Sequence, residues 1–180
     1  MVRESEQGIT DRVTLILDTE AKHHSRGEPS ETFETAVRTA ASLGVRHLKD
    51  GFSVTAFTNG GEIAKSLRGN RAKLLFLDEM AKVSRGNQPL SDMMARIVAS
   101  PRSHTHVVLI VPELSPDVAK RVRMLLDGGS SVMIVLVRWE ESDPASVHRA
   151  GALGCNFVEV RPDQALDRVF AAIHGTGARR

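Results

Sequence analysis

The segment Arg12-Val13-Thr14-Leu15-Ile16-Leu17-Asp18 constrains this chain more than any other, because a β-branched and aliphatic run that stops abruptly at a carboxylate reads as a buried central strand. A strand buried on both faces needs helices above and below it. In open α/β sheets, ligands meet the protein outside the carboxyl ends of the strands, near a topological switch point. Asp18 and the polar stretch Thr19 to Ser30 therefore fall where a site is expected.

The remaining segments supply the partners of that strand. Thr19 to Ser30 is long for a βα connection and rich in charge, His, Gly and Pro. Ser30 should cap a helix that carries Glu31 and Glu34 in its first turn and ends at Asp50-Gly51. Phe33, Ala36, Val37, Ala40, Ala41, Gly44 and Leu48 form one apolar stripe on it, small enough for close packing on a sheet. Phe52 to Thr58 is a second strand, and the turn Asn59-Gly60-Gly61 folds Glu62 to Leu67 back as a short antiparallel edge. Leu74, Leu75, Leu77, Met80, Ala81 and Val83 mark a second helix; beyond Ser84 to Pro89 a third runs from Leu90 to Ala99. His106 to Val111 is a buried strand, Ser115-Pro116 opens a helix that stops at Gly128-Gly129, and Ser131 to Val137 is another strand. Asp143-Pro144 opens a further helix, Cys155 to Val160 is the last strand, and Asp163 to His174 closes the chain as an amphipathic helix. Right-handed crossovers convert this order into an α/β fold, a three-layer, doubly wound, mainly parallel sheet with an antiparallel edge strand. Met1 to Asp11 reads as a polar tail, and residues 12 to 180 as one domain.

Charge and composition narrow the function classes. Lysine plus arginine number 24 against 22 acidic residues, and a net charge of +2 is too small to argue for nucleic acid or an anionic membrane as the main partner, so the expectation is no nucleic acid and no membrane contact by this domain itself. With six Phe, one Trp and no Tyr, stacking platforms for bases are poorly supplied. One cysteine excludes an internal disulfide and fits a reducing compartment. No apolar run approaches the roughly eighteen residues of a spanning helix, so the domain reads as soluble. Neither GxGxxG nor GxxxxGK[ST] occurs, which leaves nucleotide binding without a motif.

Met1-Val2-Arg3-Glu4, the strand end Leu15 to Thr19, Phe33 to Leu43 and Leu48 to Val54 together resemble the C-terminal region of proteins catalogued as domain of unknown function 58. The resemblance spans nearly the whole chain in the order of its elements, most specifically between Asp18 and Val54. It implies a von Willebrand factor A-like domain, cut from the C-terminal part of a longer protein whose N-terminal helices sit in a membrane. It also implies a MoxR-type AAA+ ATPase as protein partner, and a cytoplasmic location tethered to the membrane through the missing part.

In von Willebrand factor A domains the functional signature is a metal-ion-dependent adhesion site: an Asp-x-Ser-x-Ser loop after the first strand, a Thr between the middle helices, and an Asp after the fourth strand. Carried over residue by residue, Asp18 keeps the first position, but Glu20 and Lys22 stand where the serines belong. Ser84 offers the only hydroxyl near the Thr position, and Glu113 follows the fourth strand in place of Asp. A hard divalent cation wants several oxygens in a compact shell, which a lysine ammonium would oppose. The expectation is a degenerate site with no cofactor and no catalytic residue; were Mg²⁺ bound, Asp18, Glu20 and Glu113 would hold it. The implied function is a non-catalytic protein-protein interaction module whose partner-binding face is Asp18, Glu20, Lys22, Ser84 and Glu113. The alternative is a Mg²⁺-dependent adhesion site or an acidic-cluster hydrolase. A haloacid-dehalogenase-type phosphatase would need a second Asp where Glu20 stands, and a PIN-like nuclease several carboxylates at strand ends.

Other groups carry blander expectations. Asp18 would serve equally well as an acceptor of backbone N–H groups in its own loop. His23 and His24 read as exposed loop histidines, and His104 and His106 as solvated strand-end residues. Cys155 reads as a small apolar residue. The acidic run after Trp139 faces a partner or is a solvated loop capped by Asp143.

Overall fold

The computed structural model describes residues 11–100, 105–140, 142–164 and 166. The expected central strand forms as β1 (Arg12–Leu17). It is joined by β2 (Ser53–Thr58), β3 (Gly61–Leu67), β4 (His106–Val111), β5 (Ser131–Val137) and β6 (Asn156–Val160) in one six-stranded sheet of order β3-β2-β1-β4-β5-β6. All neighbours pair in parallel except β2 and β3, which form the expected antiparallel edge with an irregular register near Ala56. From β1 the chain first builds outward through β2 and β3, then returns to β4 on the other side of β1. The β1/β4 boundary is therefore the switch point, and there the Asp18 N–H donates to the Ile110 carbonyl at 2.9 Å.

Helices cover both faces. Val13, Leu15 and Leu17 point to one layer, α1 (Glu31–Lys49) and α2 (Ala72–Ala81), while Ile16 points to the other, α3 (Leu90–Ala99), α4 (Pro116–Asp127) and α5 (Ala145–Ala152). The fold is the three-layer α/β sandwich that the apolar pattern requires. Local signals act as expected at several ends. Ser115 Oγ accepts from Val118 N at 3.3 Å with Pro116 in the first turn, and Gly51 and Gly129 follow α1 and α4 at positive φ, 86° and 84°. Ser30 precedes α1, but its hydroxyl donates to the Ser25 carbonyl at 2.8 Å and so fastens the preceding loop instead of the helix end.

Two expectations are corrected. The second helix exists, yet its buried residues are Ala72, Phe76 and Met80, while Leu74, Leu75 and Leu77 are exposed. Gly44 is small for the sake of this helix, since a Cβ there would overlap the ring of Phe76. At Gly44 the close approach is helix to helix, while Ala36 and Ala40 of the same stripe lie in the core formed with the sheet, as expected. The tail Met1 to Asp11 falls outside the described residues except for Asp11, as does the closing helix Asp163 to His174 apart from Asp163, Gln164 and Leu166. Leu166 packs against the α1 and α2 layer. Among the described residues no helix is long and apolar enough to cross a membrane.

Candidate functional site

Asp18 follows the last residue of β1 and is fully buried. Its Oδ1 accepts from Glu20 N and from Asn59 Nδ2, each at 2.9 Å, and its Oδ2 accepts from His23 Nδ1 at 2.8 Å. A buried carboxylate without such donors would be costly, and these three satisfy it. The bond to the amide two residues on makes Asp18 the acceptor within its own loop that the sequence also allows. Asn59 is the second tie. Its Oδ1 accepts from Thr19 N at 2.9 Å and its Nδ2 also donates to the Gln88 carbonyl at 2.7 Å, so one amide joins β1, the β2–β3 turn and the α2–α3 loop. That loop is fixed again by Gly86 N to the Thr19 carbonyl at 2.9 Å and Ala21 N to the Gly86 carbonyl at 2.8 Å. The sequence shows Asn59 only as a turn residue; its position directly after a buried strand was the available hint.

The loop after Asp18 turns back on itself through a 3₁₀ turn, Ala21–His23, and this overturns the reading of His23 and His24 as exposed. His24 is buried; its Nε2–H donates to the Asp18 carbonyl at 2.9 Å, Nδ1 lies 3.3 Å from Thr32 Oγ1, and its ring meets Phe33 edge-on. Burial lowers its pKa more than the Asp18 carbonyl and charge raise it, which keeps the ring neutral. His23 goes the other way. Burial alone would lower its pKa, but the hydrogen bond and charge of Asp18, with Glu20 and Glu113 behind, outweigh that and raise it. The imidazolium is favoured beside Asp18.

Glu20 is buried at the same rim. Its Oε1 pairs with Lys22 Nζ at 2.6 Å, and its Oε2 lies 3.6 Å from His23 Nδ1. Lys22 itself remains exposed, with its pKa raised chiefly by the hydrogen bond and charge of Glu20 and further by Glu113 and Asp18. Glu113 is half-buried and close enough to act on Lys22 and His23 by charge. Ser84 is exposed on the wall of a cleft of about 420 Å³ on the other side of the loop, with Asn59 and Gly86. Of the expected face, Asp18, Glu20 and Lys22 come together, Glu113 borders them, and Ser84 stands apart across Thr19 to Ala21.

Asp18, Glu20 and His23 each bring one ligand-type atom within 4.8 Å of the others. The set does not fit the hard divalent cation of an adhesion site. Such an ion wants about six oxygens, including hydroxyls, whereas these groups are already engaged with one another and with the chain: His23 donates to Asp18, and Lys22 to Glu20. An ion would have to displace both cations, and the serine positions that would greet it are Glu20 and Lys22.

The remaining candidates are structural. His106 is partly buried, with Nδ1 2.8 Å from Ser131 Oγ, and its pKa is lowered by burial; His104 lies outside the described residues. Cys155 packs against the α3–α5 layer, where burial pushes its thiol up against the opposing influence of its own backbone and Arg123. Asp143 accepts from Ala145 N at 2.9 Å and pairs with Arg149, which fits the capping role.

No protein-family model matches the chain, and no curated protein matches it by sequence. Solved structures do. A "von Willebrand factor type A" from Catenulispora acidiphila aligns at a TM-score of 0.60 and 18% identity over 85% of this chain. This chain spans only 39% of that protein's length. The SpRpn10 VWA domain aligns at 0.55 and 14% identity, covering 88% of this chain and 92% of its own. A conserved hypothetical protein, BatB from Bacteroides thetaiotaomicron, gives 0.59 and 11% identity over 92% and 97%. At these identities the likeness establishes a von Willebrand factor A-like fold.

Proposed function

We propose that this chain is a non-catalytic interaction module that presents the carboxyl ends of β1 and β4 to a protein partner, and that a MoxR-type AAA+ ATPase is that partner. The observation that supports the reading is the engagement of Asp18: both carboxylate oxygens accept from the chain's own donors, so its hydrogen bonds are spent on holding the loop. Likeness to von Willebrand factor A-like folds supports an interaction role, and the sequence resemblance supplies the ATPase and a cytoplasmic, membrane-tethered setting.

Charge reversal at the rim tests it. Lys22→Glu combined with Glu113→Lys should weaken capture of the purified ATPase roughly tenfold; because Lys22 pairs with buried Glu20 and Glu113 is half-buried, a few degrees of melting temperature are expected to go with it, and capture is compared where both proteins are folded. Unchanged capture would count heavily against this face. Glu20 is unsuitable for this test, since it is buried and a change there disturbs the loop. A second reading, a Mg²⁺-dependent adhesion-type or hydrolytic domain, draws on the proximity of Asp18, Glu20 and His23. Metal titration separates the two.

A further inference from the structure

The cleft of about 420 Å³ that carries Ser84 opens between the end of β2, the β2–β3 turn and the loop from α2 to α3. The ions that line it are spent on other groups of the chain. Glu79 pairs with Lys82 at 2.7 Å, and Arg85 pairs with Glu28. Asn59 turns its amide inward to Asp18, Thr19 and the Gln88 carbonyl. What stays unspent is neutral. Thr58 is only 7% exposed, yet it lines the cleft and, among the described residues, its hydroxyl makes no hydrogen bond. A hydroxyl so nearly withdrawn from water normally has a partner. The Gln88 side-chain amide stands on the same cleft and is likewise without a protein partner among the described residues.

These two groups converge on one point. A Cβ on Gly60 would lie 3.7 Å from Thr58 Oγ1 and 3.7 Å from Gln88 Oε1, in ordinary contact with both. Unlike Gly61 at 144°, Gly60 is not at positive φ, so the turn does not itself demand glycine there, and no clash demands it either. What the missing side chain does is leave open the space that the hydroxyl and the amide face. Each of the two can both donate and accept, which matches a ligand group that does the same, as a carboxamide does. A charged group entering here would find Lys82 and Arg85 already committed, and its desolvation would go uncompensated. Ile63 and Val83, both partly exposed, add aliphatic surface beside the polar point. No aromatic ring is among the lining residues, so the cleft offers no stacking platform.

Resting on the interaction-module reading above, we propose that this cleft takes a glutamine or asparagine side chain of the protein partner, its carboxamide held above Gly60 between Thr58 Oγ1 and the Gln88 amide, with an aliphatic neighbour of that residue against Ile63 and Val83. The contact is uncharged and lies on the β2 side of the loop, across from Lys22 and Glu113.

The test is an NMR titration of the full chain with the blocked dipeptide acetyl-Leu-Gln-amide. Saturable shifts are expected at the backbone amides of Gly60 and Gln88 and at the Gln88 side-chain NH₂, with roughly tenfold weaker binding of acetyl-Leu-Glu-amide because its charge must be desolvated. Gly60→Ala puts a methyl at the proposed carboxamide position and should abolish the shifts. Thr58→Val keeps the shape and the β-branch that suits a strand, and should weaken binding about fivefold, as for one hydrogen bond; it decides the matter where Gly60→Ala disturbs the turn. Four results would overturn the proposal: no saturable shift, equal or tighter binding of the Glu peptide, tighter binding of a neutral disaccharide such as trehalose, or binding unchanged by Thr58→Val. Failure here is separable from failure of the module reading. ATPase capture that responds to the Lys22 and Glu113 reversals while the peptide shifts nothing rejects the carboxamide site alone. Peptide binding without any capture upholds the site and rejects the ATPase.

Discussion

Asp18→Ala is expected to lower the free energy of unfolding by about 3–5 kcal/mol, the usual cost of removing one partner from a buried charged pair. Asp18 is fully buried, and its loss strands three donors at once: Glu20 N, Asn59 Nδ2 and the Nδ1–H of His23. Two of the stranded donors, Asn59 and His23, also hold the surrounding chain in place. Asn59 links β1 to the Gln88 carbonyl, and His23 is the end of the turn that folds the loop back. Asp18→Asn should cost less, because an amide oxygen still accepts from the chain, although its NH₂ then confronts a donor. Urea unfolding reads both directly, as a shift of midpoint with an unchanged slope. A midpoint for Asp18→Ala indistinguishable from the native chain would mean that the loop is held by something other than this carboxylate.

Gly44→Ala is the second large effect, expected at about 1–3 kcal/mol from overpacking, far from the site. The new Cβ would overlap Cε1 and Cζ of Phe76, whose ring is fully buried between α1 and the rest of its layer and has no room to retreat. Phe76→Ala alone should cost about 3–5 kcal/mol by opening a cavity. Because the two positions touch, the pair should be non-additive: Gly44→Ala in a Phe76→Leu background should cost clearly less than in the native chain. Thermal or urea denaturation of the four proteins gives the coupling directly. Strict additivity would contradict the packing described for α1 and α2.

The same two places show what could be read from the residues. Strands β4 and β5 and helix α3 have the bounds that the apolar pattern assigns, because each is bracketed by polar or turn residues. The α2 segment has no such asymmetry. Leu74, Leu75, Phe76 and Leu77 are apolar all the way round, so periodicity cannot choose a face; the buried one carries Phe76, whose ring lies against Gly44, distant in sequence. The switch-point position of Asp18 follows from strand order and was legible. Its partners were not: His23 reaches Asp18 only because the chain makes a 3₁₀ turn in between, and Asn59 arrives from the end of another strand. A loop rich in His and charge announces that something happens there, but not which side chains turn inward.

On the proposed reading, the chain's own cations take the place that a metal ion would occupy at this strand-end face. His23 sits on Asp18 and Lys22 on Glu20, so positive charge is supplied by the chain at the two carboxylates that an ion would need. Calorimetric titration of the native chain with Mg²⁺ and Mn²⁺, repeated on Asp18→Asn, tests this most directly. The expected result is no saturable heat in either protein. Saturable heat in the native chain that disappears in Asp18→Asn would show that a divalent ion displaces His23 and Lys22, and would contradict a face that works without metal.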